Sequence, residues 1–221
     1  MKEVNNKIDA FKRDIQSWIL TPEELFQKYV VDGHTYFFEY VIKDIEKEYK
    51  IKSLIANYLG VHLHEVIFVG SGKMGFSLNP NHLWSLFDSR YEKSKIIRDK
   101  SDLDIAVISG PLFEKIGRGI HEFTNGFKNK WTRNEYNSVY SQIPLHYKYC
   151  EYFSKGWFRP DMKPDGYEFC IKNSYTELKR DLFHQFKRKA GLGIYQDWYY
   201  FKHYHIENIK SLSLKVETTV I

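Results

Sequence analysis

Cysteine is nearly absent: the 221 residues include two, Cys150 and Cys170, in no metal-binding or redox spacing. Two isolated thiols exclude a disulfide framework and a cysteine-type zinc site, and they suit a reducing compartment. Proline is scarce too, at six, and no Pro/Gly/Ser-rich run marks a linker. No apolar run approaches membrane-spanning length, and the opening "MKEVNNKIDAFKRD" is too polar for a secretory leader. A cytoplasmic protein without membrane attachment is expected. Charge of one sign is in no large excess: 33 Lys+Arg against 28 Asp+Glu leave +5. That permits an anionic partner such as nucleotide or RNA without requiring one. Aromatic rings, by contrast, are abundant. Phe, Trp and Tyr make up 17% of the chain, enough for a core with a surplus suited to lining a wet groove.

The first sixty residues read as helical. Val4, Ile8, Phe11, Ile15 and Trp18 recur at intervals of three or four, one stripe of an amphipathic helix. "TPEE" supplies a restart, with Thr21 as N-cap, Pro22 at the first helical position and Glu24 completing a capping box. Asp32-Gly33 ends that helix, and a long aromatic-rich one is expected from Thr35 to Leu59, stopped by Gly60. "EVIFV" and "DLDIAVIS" read as buried strands. Alternation puts Leu103, Ile105 and Val107 of the second strand on one face and Asp102 and Asp104 on the other. Helices broken near Gly126 and Pro144 are expected between Pro111 and Trp157. "GYEFCI" and "GLGIY" are further candidate strands, "ELKRDLFHQFKRK" a basic amphipathic helix and "DWYYFKHYHIENIKSL" the last helix. The tail "KVETTVI" reads as an edge strand or a frayed end. The expected fold class is α/β of the α+β type, a small mixed sheet flanked by helices. Residues 1–60 form a helical segment packed on a core of residues 61–221, together one compact unit.

"VIFVGSGKMGF" reads as a phosphate-binding loop of one of three kinds. A P-loop needs glycine where Ile67 stands and Ser or Thr where Met74 stands, so that reading fails. Gly70-Ser71-Gly72-Lys73-Met74-Gly75 fits the dinucleotide fingerprint G-x-G-x-x-G, with Asp88 as an acidic residue downstream. However, Asn79-Pro80 breaks the chain where a long helix should run. An NAD(P)-binding Rossmann protein is therefore the third reading. The remaining kind needs Gly-Ser and then a strand carrying two carboxylates at i and i+2, which "SDLDIAVIS" supplies.

On "VGS" and "SDLDIAV", over roughly Glu65 to Ser109, the sequence resembles the nucleotidyltransferase-fold (DNA polymerase β-like) superfamily. The resemblance implies a small mixed sheet of that type. It implies that Gly70 and Ser71 contact the phosphates of a nucleoside triphosphate, and that Lys73 adds a cation near the leaving pyrophosphate. Asp102 and Asp104 would coordinate two Mg2+ (or Mn2+) ions for in-line displacement at the α-phosphate. The third carboxylate of such sites would be Glu168, with Asp161 as the alternative. The 31 positions between Ser71 and Asp102 mean that an insertion around "NPNHLWSLFDSRYEKSKII" loops out. The acceptor would be a hydroxyl on an RNA end, a protein side chain or another nucleotide. Small free-standing members of the superfamily include toxin–antitoxin and phage-defence enzymes. The rival class is a degenerate module of this fold that binds nucleotide, RNA or a protein partner. Oligomeric state is left open.

Other features carry less chemistry. His62 with His64, and His203 with His205, lack a third ligand and take no role. The "KRDLFHQFKRK" cations, Lys179, Arg180, Lys187, Arg188 and Lys189, read as a solvated face that could guide a polyanion. Arg159, between aromatic residues in "WFRPD", is a candidate contact for phosphate or acceptor.

Overall fold

The structure, a computed structural model, describes residues 2–16, 20–131, 135–137 and 142–218. α1 (Lys2–Gln16) buries Val4, Ile8, Phe11 and Ile15; Trp18 lies outside the described residues. α2 (Pro22–Leu25) starts with the expected capping box: the Thr21 hydroxyl accepts from the Glu24 N–H and the Glu24 carboxylate accepts from the Thr21 N–H. It widens into a π-helical stretch, Phe26–Val31, that ends at Asp32.

The long helix expected from Thr35 to Leu59 is two helices. A π-helical stretch, Phe37–Ile42, stops at Lys43, whose φ of 59° is left-handed. Asp44 then caps α3 (Ile45–Leu59) by accepting from the Lys47 N–H. A short Asp side chain at an N-cap satisfies one of the unpaired donors of a helix start, which is why the chain breaks here.

β1 (Val66–Val69) leads into a single helical turn, α4 (Gly70–Met74). The insertion contains α5 (Ser89–Ser94) and returns at β2 (Leu103–Ile108), followed by α6 (Gly110–Phe123). A short hairpin, β3 (Glu135–Asn137) and β4 (Gln142–Pro144), precedes α7 (Leu145–Ser154). β5 (Trp157–Phe158), α8 (Tyr175–Phe186), β6 (Ala190–Tyr195) and α9 (Trp198–Thr218) complete the order. "GLGIY" is thus a strand, as expected. "GYEFCI" is not: it runs irregularly, burying Tyr167 and Phe169 by side-chain packing. Residues 215–218 of the tail continue α9, and residues 219–221 lie outside the described residues.

The main sheet has the order β1-β2-β6-β5. β2 is central, antiparallel to β1 and parallel to β6. Its alternation sorts the core. Leu103, Ile105 and Val107 pack with Ile55 of α3, Ile116 of α6 and Leu178 of α8. Ala106 and Ile108 face the other way, onto Phe11 of α1, Phe26 and Phe201 of α9. Helices therefore cover both faces of the sheet. The first sixty residues are divided between them, α1 and α2 on one side and α3 on the other.

A buried ion pair fastens the insertion to this frame. The Arg188 guanidinium donates to both carboxylate oxygens of Asp88, each at 2.8 Å, and to the Ser101 carbonyl at 3.1 Å. It also packs over the rings of Phe37 and Phe87. Asp88 exchanges further hydrogen bonds with Ser101, the residue before Asp102. Arg188 is 4% exposed, so it is not part of a solvated face.

Candidate functional site

Asp102 and Asp104 point to the same side of β2 as Ala106 and Ile108, but helices cover only the latter two. The uncovered end opens into a cavity of about 900 Å3. Gly70, Ser71, Asp102, Asp104, Arg159 and Asp161 all line it. The topology explains the meeting: β1 pairs with β2 so that Val69 lies opposite Asp104, and the chain turns at the next residue.

That turn needs glycine for two reasons. Gly70 has φ +67°, and a Cβ there would lie 2.6 Å from Asp104 Oδ2. On the other side the register sets Gly191 of β6 beside Asp104, and a Cβ there would come within 3.2 Å of Oδ1. Both oxygens of one carboxylate are thus approached by glycine backbone, which leaves room around them that any other residue would fill. Crowding by protein, with the charge of Asp102 in second place, raises the Asp104 pKa to about 6. The residue is nonetheless open to solvent, as expected for a carboxylate on a cavity floor.

Cations share the cavity. Arg159, Lys179 and Lys189 line the cavity with the acids, and the Lys189 carbonyl accepts from the Leu103 N–H at 3.0 Å, which ties this lysine to the start of β2. Arg159 binds Asp161 with two hydrogen bonds, at 3.2 and 2.8 Å, and lies over the rings of Tyr152 and Trp157. His205, also on the lining, is held near a pKa of 4 by burial, and its Nε2 is buried without a partner.

Two expected participants lie elsewhere. Lys73 is 4% exposed; its ammonium donates to the Gly33 carbonyl, and burial lowers its pKa to about 8. It braces the start of the chain against α4 and does not face the cavity. Glu168 sits on the irregular segment, where its carboxylate accepts the Tyr175 N–H at 2.6 Å and pairs with Lys163 at 3.7 Å. It serves the start of α8 and is not on the cavity lining.

Comparison with protein-family models, with curated proteins and with solved structures gave no match.

The donor set suits a hard divalent cation. Mg2+ is commonly held by one or two carboxylates, with substrate phosphate oxygens and water completing its shell. Asp102 and Asp104 would be the protein's share. Among the described residues no three His, Cys, Asp or Glu side chains gather at one point. The paired acids and the glycine-lined space around Asp104 fit such an ion. The dinucleotide reading fits poorly, because it needs a parallel β-α-β unit. Here β1 and β2 are antiparallel, α4 is five residues long, and Asp88 is engaged by Arg188.

Lys179 and Lys189, which the sequence reads as part of a solvated basic face, line the cavity. For Lys189 the signal is its place one residue ahead of β6: a basic residue just before a strand that runs parallel to β2 must lie near the start of β2.

Proposed function

We propose that this protein is a divalent-metal-dependent nucleotidyltransferase, moving a nucleoside monophosphate from a nucleoside triphosphate to an acceptor hydroxyl. The observation that carries the reading is the meeting of Asp104, on the central strand β2, and Asp102, just before it, with the Gly70-Ser71 turn in one cavity that three cations also line. The bound ions would neutralise the triphosphate and make the acceptor hydroxyl easier to ionise. Asp102 and Asp104 would hold those ions. Gly70 allows close backbone approach and Ser71 adds a hydroxyl donor for phosphate oxygens. Arg159, Lys179 and Lys189 offset the remaining phosphate charge. The acceptor hydroxyl gives up its proton to solvent, its oxygen bonds to the α-phosphorus as the bond to the bridging oxygen breaks, and pyrophosphate leaves.

A second reading rests on the absence of a converging third carboxylate among the described residues: a module that binds nucleotide without transferring it. The test is label transfer from each of four α-labelled nucleoside triphosphates, with Mg2+ or Mn2+, into cell RNA, cell protein and free nucleotide. Label in one pool that disappears in Asp102→Ala/Asp104→Ala supports the enzyme and names its acceptor. Triphosphate binding without label in any pool supports the module.

A further inference from the structure

Asp104 is held by strands on both sides, with Val69 opposite it on β1 and Gly191 on β6. Asp102 is not. It lies just before β2, beyond the last β1 pairing at Asp104 and ahead of the first β6 pairing at Leu103. Two carboxylates that share metal ions must nonetheless keep a fixed spacing, within about 0.5 Å. Something outside the sheet has to hold the chain at Asp102.

The buried pair of Asp88 and Arg188 reaches this stretch. The Asp88 carboxylate accepts from the Ser101 N–H at 2.8 Å, and the Asp88 N–H donates to the Ser101 hydroxyl at 2.9 Å. Arg188 donates to the Ser101 carbonyl at 3.1 Å while it binds both Asp88 oxygens. The N–H, hydroxyl and carbonyl of Ser101 are thus all engaged. On the other side of Asp102, the Leu103 N–H donates to the carbonyl of Lys189, the residue after Arg188. The chain is pinned directly before and directly after the carboxylate, and both pins lead to Arg188-Lys189. Lys189 lines the cavity, whereas Asp88 and Arg188 do not.

Stability does not account for this arrangement. Taking two charges out of water costs several kcal/mol per ion, and an apolar pair of similar volume often serves as well or better. Asp88 also takes a left-handed backbone, with φ 61°. That strain is about 1–2 kcal/mol, and it persists where the surroundings over-determine it. What an apolar pair cannot supply is direction, because a guanidinium presents its donors in a rigid fork. We propose that Asp88 and Arg188 are positioning residues, which fix Asp102 at its spacing from Asp104 and bring Lys189 to the same cavity. This role rests on the reading of Asp102 and Asp104 as ligands of a divalent ion.

Two measurements on the full chain test it: Mn2+ affinity by titration calorimetry, and exchange of the Leu103 amide hydrogen by NMR, relative to that of Ile105 further along β2. Asp88→Leu/Arg188→Met keeps the space filled and removes the hydrogen bonds. It should lose Mn2+ affinity by about 10–100-fold, the usual effect of removing groups that orient metal ligands, and its Leu103 amide should exchange faster. Arg188→Lys keeps the charge without the fork; it should change in the same direction to a smaller extent, and it decides the matter if the double variant does not fold. Ile116→Ala, a stability control in the core that holds Leu103, should bind Mn2+ as the parent does. The role is overturned if the pair variant keeps the parent's affinity, if affinity falls while Leu103 exchanges as before, or if Ile116→Ala weakens binding equally. Asp102→Ala/Asp104→Ala separates this role from the reading beneath it. Mn2+ binding lost there but kept in the pair variant overturns the role alone. A parent that binds no Mn2+, or binding that survives in Asp102→Ala/Asp104→Ala, overturns the metal reading and the role with it.

Discussion

Asp104 is where burial, charge and backbone geometry meet. Its pKa, about 6 against an ordinary value of 3.8, means that the folded state binds this proton more tightly than the unfolded chain. The resulting stability is complete below about pH 4 and is lost as pH rises through about 6. At pH 8 the metal-free protein therefore carries a destabilising charge, and Asp104→Asn should melt higher. Discounting for solvent around the carboxylate leaves roughly 1 kcal/mol, or about 2–4 °C for a domain of this size. The gap should close at pH 4. Calorimetry at both values checks the sign, and a variant that melts lower at pH 8 would refute the account. Added Mg2+ should raise the melting temperature of the parent at pH 8 and leave that of Asp104→Asn unchanged. Gly70 makes a companion case. Gly70→Ala adds the strain of a left-handed residue, about 1–2 kcal/mol, and drives a methyl group into Asp104 Oδ2. It should lose both stability and Mg2+ binding, measured by melting and by titration calorimetry, whereas Ser71→Ala should lose neither to the same degree.

Among the elements, β2 was the most legible. "DLDIAVIS" shows its alternation directly, because one of its faces must be apolar along its whole length and the other only beyond Asp104. The break at Lys43-Asp44 was missed because Phe37, Phe38 and the later Ile51 and Ile55 keep a continuous apolar pattern across it, and the cap is a single polar residue. "GYEFCI" misled for a related reason: apolar alternation reports burial, and Tyr167 and Phe169 are buried without any strand partner. Nothing local to the insertion shows that Asp88 finds Arg188 a hundred residues later. That pair gives a prediction at this scale. Asp88→Ala strands a buried guanidinium and should cost about 3–5 kcal/mol, whereas Asp88→Leu/Arg188→Met should cost much less. Urea denaturation of the three proteins decides it. Equal losses in the single and double variants would mean that the pair does not act as a unit.

For the whole molecule, the two cores share one sheet, and each apolar β2 residue belongs to one core or the other. Phe11→Ala, on the α1 side, and Ile116→Ala, on the α6 side, should each cost about 2–5 kcal/mol. Both should shift one common transition followed by circular dichroism and by intrinsic fluorescence. Separate transitions in either variant would show that the layers unfold independently. The same sheet has a consequence for synthesis on the ribosome. Asp104 gains Val69 as a neighbour early, but Gly191 and Lys189 emerge only after the hairpin, α7 and α8 have been made. Until β6 docks alongside β2, Asp102 and Asp104 sit on the unpaired margin of a two-stranded ribbon, with neither Lys189 nor the Arg188 anchor in place. Pairing across such a separation is slow compared with helix formation. A nascent chain that ends before β6 therefore carries both carboxylates but no complete pocket, and the chemistry proposed for them can begin only once β6 has been made.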